Sequence, residues 1–134
     1  MNYWLLKTEP ETFSWNDLLR DKKAGWDGVR NFQARKHLKE MKKGDKAFIY
    51  HTGDEKSVVG IATVVREFYP EAKDPEWVAV DLAPEKALKN PVSLAKVKQD
   101  KSLSEMKLVR VARLSVQPVK KEEFDRILEL SLKP

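Results

Sequence analysis

From Lys46 to Tyr69 the chain runs KAFIYHTGDEKSVVGIATVVREFY. Lys46–Thr52 is short, apolar and aromatic, and Ser57–Tyr69 is rich in valine and isoleucine, so both segments read as strands. Gly53-Asp54 between them is a turn signal. Gly60, inside the longer strand, predicts a bulge or sharp bend. Strands that follow one another through a short turn argue against a doubly wound sheet, where a helix separates successive strands. They fit a small, bent β-barrel with helices packed on its outside.

The flanking segments extend this pattern. Tyr3–Thr8 reads as a short buried strand, ended by Glu9-Pro10-Glu11. Ser14 is a predicted N-cap with Asp17 as its acidic partner, starting a helix that runs to Arg20. Asp21–Gly28 reads as a loop. Asn31 is a predicted N-cap for a second helix reaching about Lys43. On that helix Ala34, Leu38 and Met41 share one side, while Arg35, Lys39 and Lys42 share another. Gly44 is its expected C-cap. Beyond the Pro70–Pro75 loop, Trp77–Leu82 alternates as a strand. Pro91-Val92-Ser93 opens a short helix to about Lys98. Leu108–Val116 is a predicted strand ended by Pro118, and Glu122–Leu130 is a final amphipathic helix. The expectation is one α+β domain over residues 1–134, with about five to six mostly antiparallel strands. No repeat or linker interrupts it.

Composition narrows the function. The chain has 134 residues, 41% hydrophobic and 35% charged, as in globular proteins. Cys is absent, which removes disulfides, thiolate metal sites and a Cys nucleophile. The two histidines, His37 and His51, form no metal-ligand spacing, so neither a metal nor a cofactor is expected. Phosphate-cradling glycine motifs and a G-x-S-x-G nucleophile turn are missing as well. No apolar run is long enough for a membrane span, and the N-terminus does not read as a signal peptide, so a cytoplasmic location is expected. A net charge of +5 hints at a polyanionic partner.

The stretch richest in recognition chemistry is Trp26-Asp27-Gly28-Val29-Arg30-Asn31-Phe32-Gln33-Ala34-Arg35. Trp offers a flat stacking face, Asn and Gln carry paired donors and acceptors, and Arg meets phosphate or stacks. The same residues have simpler uses: Trp26 in the core, Asn31 as a helix cap, Arg30 as an ion-pair partner. The residues alone leave both uses open. Tyr50-His51, at a strand end, is a second candidate. The stripe Arg35, Lys39, Lys42 suits a phosphate backbone or a solvated helix face. Trp4, Trp15 and Trp77 read as core residues.

Tyr3-Trp4-Leu5-Leu6-Lys7-Thr8-Glu9-Pro10 resembles the N-terminal signature of the EVE domain family. Trp26–Asn31 with Gln33-Ala34-Arg35, Lys43-Gly44-Asp45 with Tyr50-His51, Val59–Ala62, and Arg113–Val116 with Pro118-Val119 resemble its later signatures in order. The resemblance covers essentially the whole chain, and its minimal length is similar to that of bacterial members. It implies a PUA-like fold, related to ASCH and YTH domains, and nucleic-acid binding with a pocket for a flipped, modified base. Carried onto this chain, Trp26 is a stacking wall, Asn31 reads a base edge, and Tyr50 and His51 form the opposite wall. Lys7, Thr8 and Glu9 shape the floor, and Ser115 borders the mouth. Arg30, Arg35, Lys39 and Lys42 meet phosphates. The expected partner is DNA or RNA, and the chain is not expected to be an enzyme. Two alternatives stand beside this: a small ASCH-like hydrolase of modified nucleosides using Lys7, Thr8 and Glu9, and a protein-interaction module.

Overall fold

Strand alternation in β1 (Tyr3–Thr8) sends Trp4 and Leu6 to one face and Leu5 to the other, and all three are buried. β3 (Lys46–His51) repeats this, with Ala47 and Ile49 opposite Phe48 and Tyr50. Both faces of the sheet therefore need covering. The computed structural model describes residues 1–133; Pro134, inside the expected domain, lies outside the described residues. Helices α1 (Trp15–Asp21) and α2 (Phe32–Glu40) cover the face of Trp4 and Leu6. Helices α3 (Leu94–Gln99), α4 (Lys107–Arg110) and α5 (Lys121–Ser131) cover the face of Leu5 and Phe48.

The remaining strands are β2 (Ala24–Trp26), β4 (Ser57–Pro70), β5 (Val78–Ser93) and β6 (Val116–Val119). The sheet order is β2-β5-β4-β3-β1-β6. β1 and β3 are parallel; every other pair is antiparallel. Four register shifts along β4 and β5 bend this long pair. The result is an α+β, PUA-like arrangement in which the sheet curls but stays open. Gly60 sits beside one of these shifts, where a Cβ would come within 2.6 Å of the Trp15 ring.

Several boundaries differ from the sequence reading. α2 stops at Glu40 rather than Lys43, and Gly44 is not its cap. The buried Asp45 carboxylate accepts the Lys42 N–H at 3.0 Å, the Trp4 Nε1–H at 3.0 Å and the Asn2 N–H at 3.1 Å, which draws the chain out of the helix. The expected Trp77–Leu82 strand continues as far as Ser93. Its second half, PEKALKN, has little strand propensity and is held by pairing to β4. Ala24–Trp26, expected as loop, pairs with β5.

Of the expected strand Leu108–Val116 only Val116 is paired, as the first residue of β6; the rest is not a strand. Its apolar residues divide between the two sides: Leu108 packs among α3–α5, while Val111 and Leu114 join the α1–α2 side. The segment thus turns around the sheet edge. Pro118, expected to end a strand, lies inside β6, where an edge position tolerates its missing N–H.

Candidate functional site

β2 and β6 are the two outer strands of the sheet, yet residues of β2 and Ser115, just before β6, line one cavity. The curl brings the edges together without joining them, and the cavity occupies the unclosed seam. Its volume is about 450 Å³, inside the range of small-ligand sites. Lys7 and Thr8 enter from the end of β1, Trp26 from β2, and Thr12 and Phe13 from the turn before α1. Asp27–Arg30 forms the rim. A larger open groove of about 780 Å³ lies between the N-terminus and the start of α5, but none of the candidate residues line it.

The expected pocket residues are only partly gathered here. Lys7, Thr8, Trp26, Arg30 and Ser115 line the cavity; Glu9, Asn31, Tyr50 and His51 do not. Tyr50 belongs to the cluster on the opposite face of the sheet from Trp26, as strand alternation requires. His51 is buried and committed to the fold. Its Nε2 accepts the Trp15 N–H at 3.0 Å, and its Nδ1 pairs with Glu55 at 2.9 Å. This fixes the start of α1 beneath β3. Glu9 is exposed.

Trp26 is only 8% exposed and meets Phe13 edge-on at 5.9 Å. Trp26 and Phe13 both line the cavity. Asn31 Oδ1 accepts the Ala34 N–H at 2.9 Å as the α2 cap. Arg30 makes two bonds of 2.8 Å to the Glu71 carboxylate, which also accepts the Gly28 N–H at 3.0 Å. Gly28 holds a φ of +78°, which favours glycine. Thus Glu71, from the β4–β5 loop, ties down the rim.

The phosphate candidates are likewise divided. Arg30 is neutralised by Glu71, and Arg35 donates to the Glu76 carbonyl at 2.8 Å. Lys39 and Lys42 are exposed, although Lys42 falls beyond the end of α2. Trp77, expected in the core, is half-buried and stacks on exposed Phe32. Sequence reasoning missed Thr12, Phe13 and Glu71. Phe13, adjacent to the N-cap Ser14, carried the one usable signal, since an apolar residue preceding a cap usually packs.

Burial pushes the Lys7 ammonium below the ordinary lysine range. Its Nζ donates to the Ala112 carbonyl at 2.6 Å and lies 5.8 Å from the Tyr50 ring centroid. Burial also raises the Tyr50 phenol. Thr8 Oγ1 donates to the Phe13 carbonyl at 2.8 Å, so its lone pairs remain available as acceptors. The cavity lining therefore combines Trp26 and Phe13 with Lys7 at its edge, the hydroxyl residues Thr8, Thr12 and Ser115, and Asp27. Among the described residues no cluster of three His, Cys, Asp or Glu forms a metal site, and no helix is long and apolar enough to cross a membrane.

The EVE domain model matches residues 2–130. Thymocyte nuclear protein 1 of Mus musculus is 37% identical over 165 residues, covering 96% of this chain and 73% of that protein. Rpa0253 from Rhodopseudomonas palustris is 41% identical, with a TM-score of 0.94 over 100% of this chain and 96% of its own. The human THYN1 protein, solved in complex with 5-methylcytosine-containing DNA, is 33% identical with a TM-score of 0.93, covering 100% and 99% of the two chains. An ASCH protein from Zymomonas mobilis, at 14% identity, TM-score 0.59 and coverage of 96% and 94%, shares the fold alone. These matches run from end to end of the described sheet, and the chain belongs to the EVE domain family.

Proposed function

We propose that this protein binds nucleic acid and holds one extruded, modified base in the cavity at the sheet seam. The observation that carries this is the composition of the cavity lining, which joins the aromatic pair Trp26 and Phe13 to the polar residues Lys7, Thr8, Thr12, Ser115 and Asp27. A relative that aligns along its whole length was solved with 5-methylcytosine-containing DNA, which makes that base the first to test. In this reading Lys7 donates to a ring acceptor of the base, and Asp27 accepts from an exocyclic amine. Lys39 and Lys42 supply charge to the phosphates. Burying a methyl contributes about 0.8 kcal/mol, roughly fourfold in affinity. The hydrolase reading has less support, because Glu9 lies outside the cavity.

The test is a tryptophan-fluorescence titration with short DNA and RNA oligonucleotides carrying cytosine, 5-methylcytosine, adenine or a methylated adenine, at two salt concentrations. The proposal expects saturable, modification-dependent binding that Lys7→Met weakens roughly 10- to 100-fold. Equal, salt-sensitive binding to every oligonucleotide contradicts it.

A further inference from the structure

Phe32 opens α2 and is 64% exposed, an unusual cost for so large an apolar residue. The ring is packed on one side. It stacks on Trp77 with centroids 5.3 Å apart and planes inclined by 27°. The Arg35 guanidinium lies 4.8 Å from the Phe32 centroid and 4.9 Å from that of Trp77. The Arg30 guanidinium lies 5.3 Å from Trp77 on the side of the cavity rim. Bonds to the Glu76 carbonyl and to Glu71 fix the two guanidinium groups. Residues 32, 35 and 39 share one face of α2, so the platform leads from the rim to the exposed Lys39. An exposed aromatic backed by a second ring, with an exposed lysine further along the same face, is the construction that stacks unpaired bases while attracting their phosphates.

We infer that Phe32, backed by Trp77 and Arg35, stacks an unpaired nucleobase next to the one held in the cavity, so that the protein grips two neighbouring nucleotides of one strand. This rests on the proposed base-binding reading. Exposed Lys39 on the same helix face favours this occupant over an apolar peptide, while Arg30 and Arg35, already paired with Glu71 and Glu76, buttress the rings.

The test compares Phe32→Ala and Lys7→Met with the wild type, each binding three probes: the nucleoside 5-methyl-2′-deoxycytidine, a single-stranded pentanucleotide with central 5-methylcytosine, and the same strand with abasic sites on both sides of that base. Phe32→Ala is expected to weaken the intact pentanucleotide about tenfold. It should leave the nucleoside and the abasic strand unaffected. Unchanged pentanucleotide binding by Phe32→Ala overturns the inference. So does an equal loss for the intact and abasic strands, which would mark Phe32 as a support of the fold. A loss in Phe32→Ala with none in Lys7→Met refutes the cavity and leaves the stacking contact standing; the opposite result refutes the stacking contact alone.

Discussion

Arg30 and Glu71, 41 residues apart, meet through two N–H···O bonds of 2.8 Å, and their union closes the rim of the seam cavity. An arginine in a recognition-rich stretch looks like a phosphate ligand. Here its fork is already filled by a carboxylate that also accepts the Gly28 N–H, so the pair holds the rim in place.

Glu71→Gln should free that rim. The Arg30 guanidinium, with lesser help from the Gly28 N–H, holds the Glu71 carboxyl below its ordinary value of 4.5. A depressed carboxyl contributes stability that is complete above the unfolded pKa and is lost as pH falls through the folded one. The stability difference between wild type and Glu71→Gln should therefore be steady near neutrality and shrink below about pH 4.5. Urea melts across that window measure it. Amide exchange at Gly28 should be faster in the variant at neutral pH.

Lys7 presents a different signature. Its charge is partly desolvated, so folding favours the neutral form and that group's contribution to stability rises with pH. Lys7→Met should leave stability at pH 7 within about 1 kcal/mol of wild type while weakening base binding roughly 10- to 100-fold. Paired urea melts and titrations separate the two effects.

His51→Ala should act in the reverse sense. It removes the acceptor of the buried Trp15 N–H, at a cost of about 1–3 kcal/mol in urea unfolding. The affinity of the folded fraction for oligonucleotides should stay near wild type.

Asp45→Ala removes the acceptor of three N–H groups at once, joining the N-terminus, Trp4 and the end of α2. At about 1.5–3 kcal/mol for a hydrogen bond to a charged group, a loss of at least 3 kcal/mol is expected. A thermal midpoint close to wild type would show that this carboxylate is not the pin described.

The strands from Tyr3 to Thr8 and from Lys46 to Tyr69 were legible because their apolar residues sit in short, undiluted runs. Ser14 with Asp17 was legible because a capping box is local chemistry, and the structure contains both of its bonds. The Leu108–Val116 segment misled because an apolar run does not say that its residues will serve opposite faces of a sheet. PEKALKN misled for the opposite reason, since its strand depends on pairing with β4. At the site, Asn31 and Arg30 took the simpler uses that their chemistry also allows. The cavity itself is made by the approach of two sheet edges distant in sequence, which no local pattern records.

The central claim is that one base enters the seam. The direct measurement is an amide-and-side-chain NMR titration of the isotopically labelled protein with a short single strand containing one 5-methylcytosine. The account predicts saturable shifts centred on Lys7, Thr8, Gly25, the Trp26 indole and Ser115, much reduced when the modified nucleotide is made abasic. Shifts confined to the exposed face around Lys39 and Lys42, and indifferent to the abasic change, would contradict it.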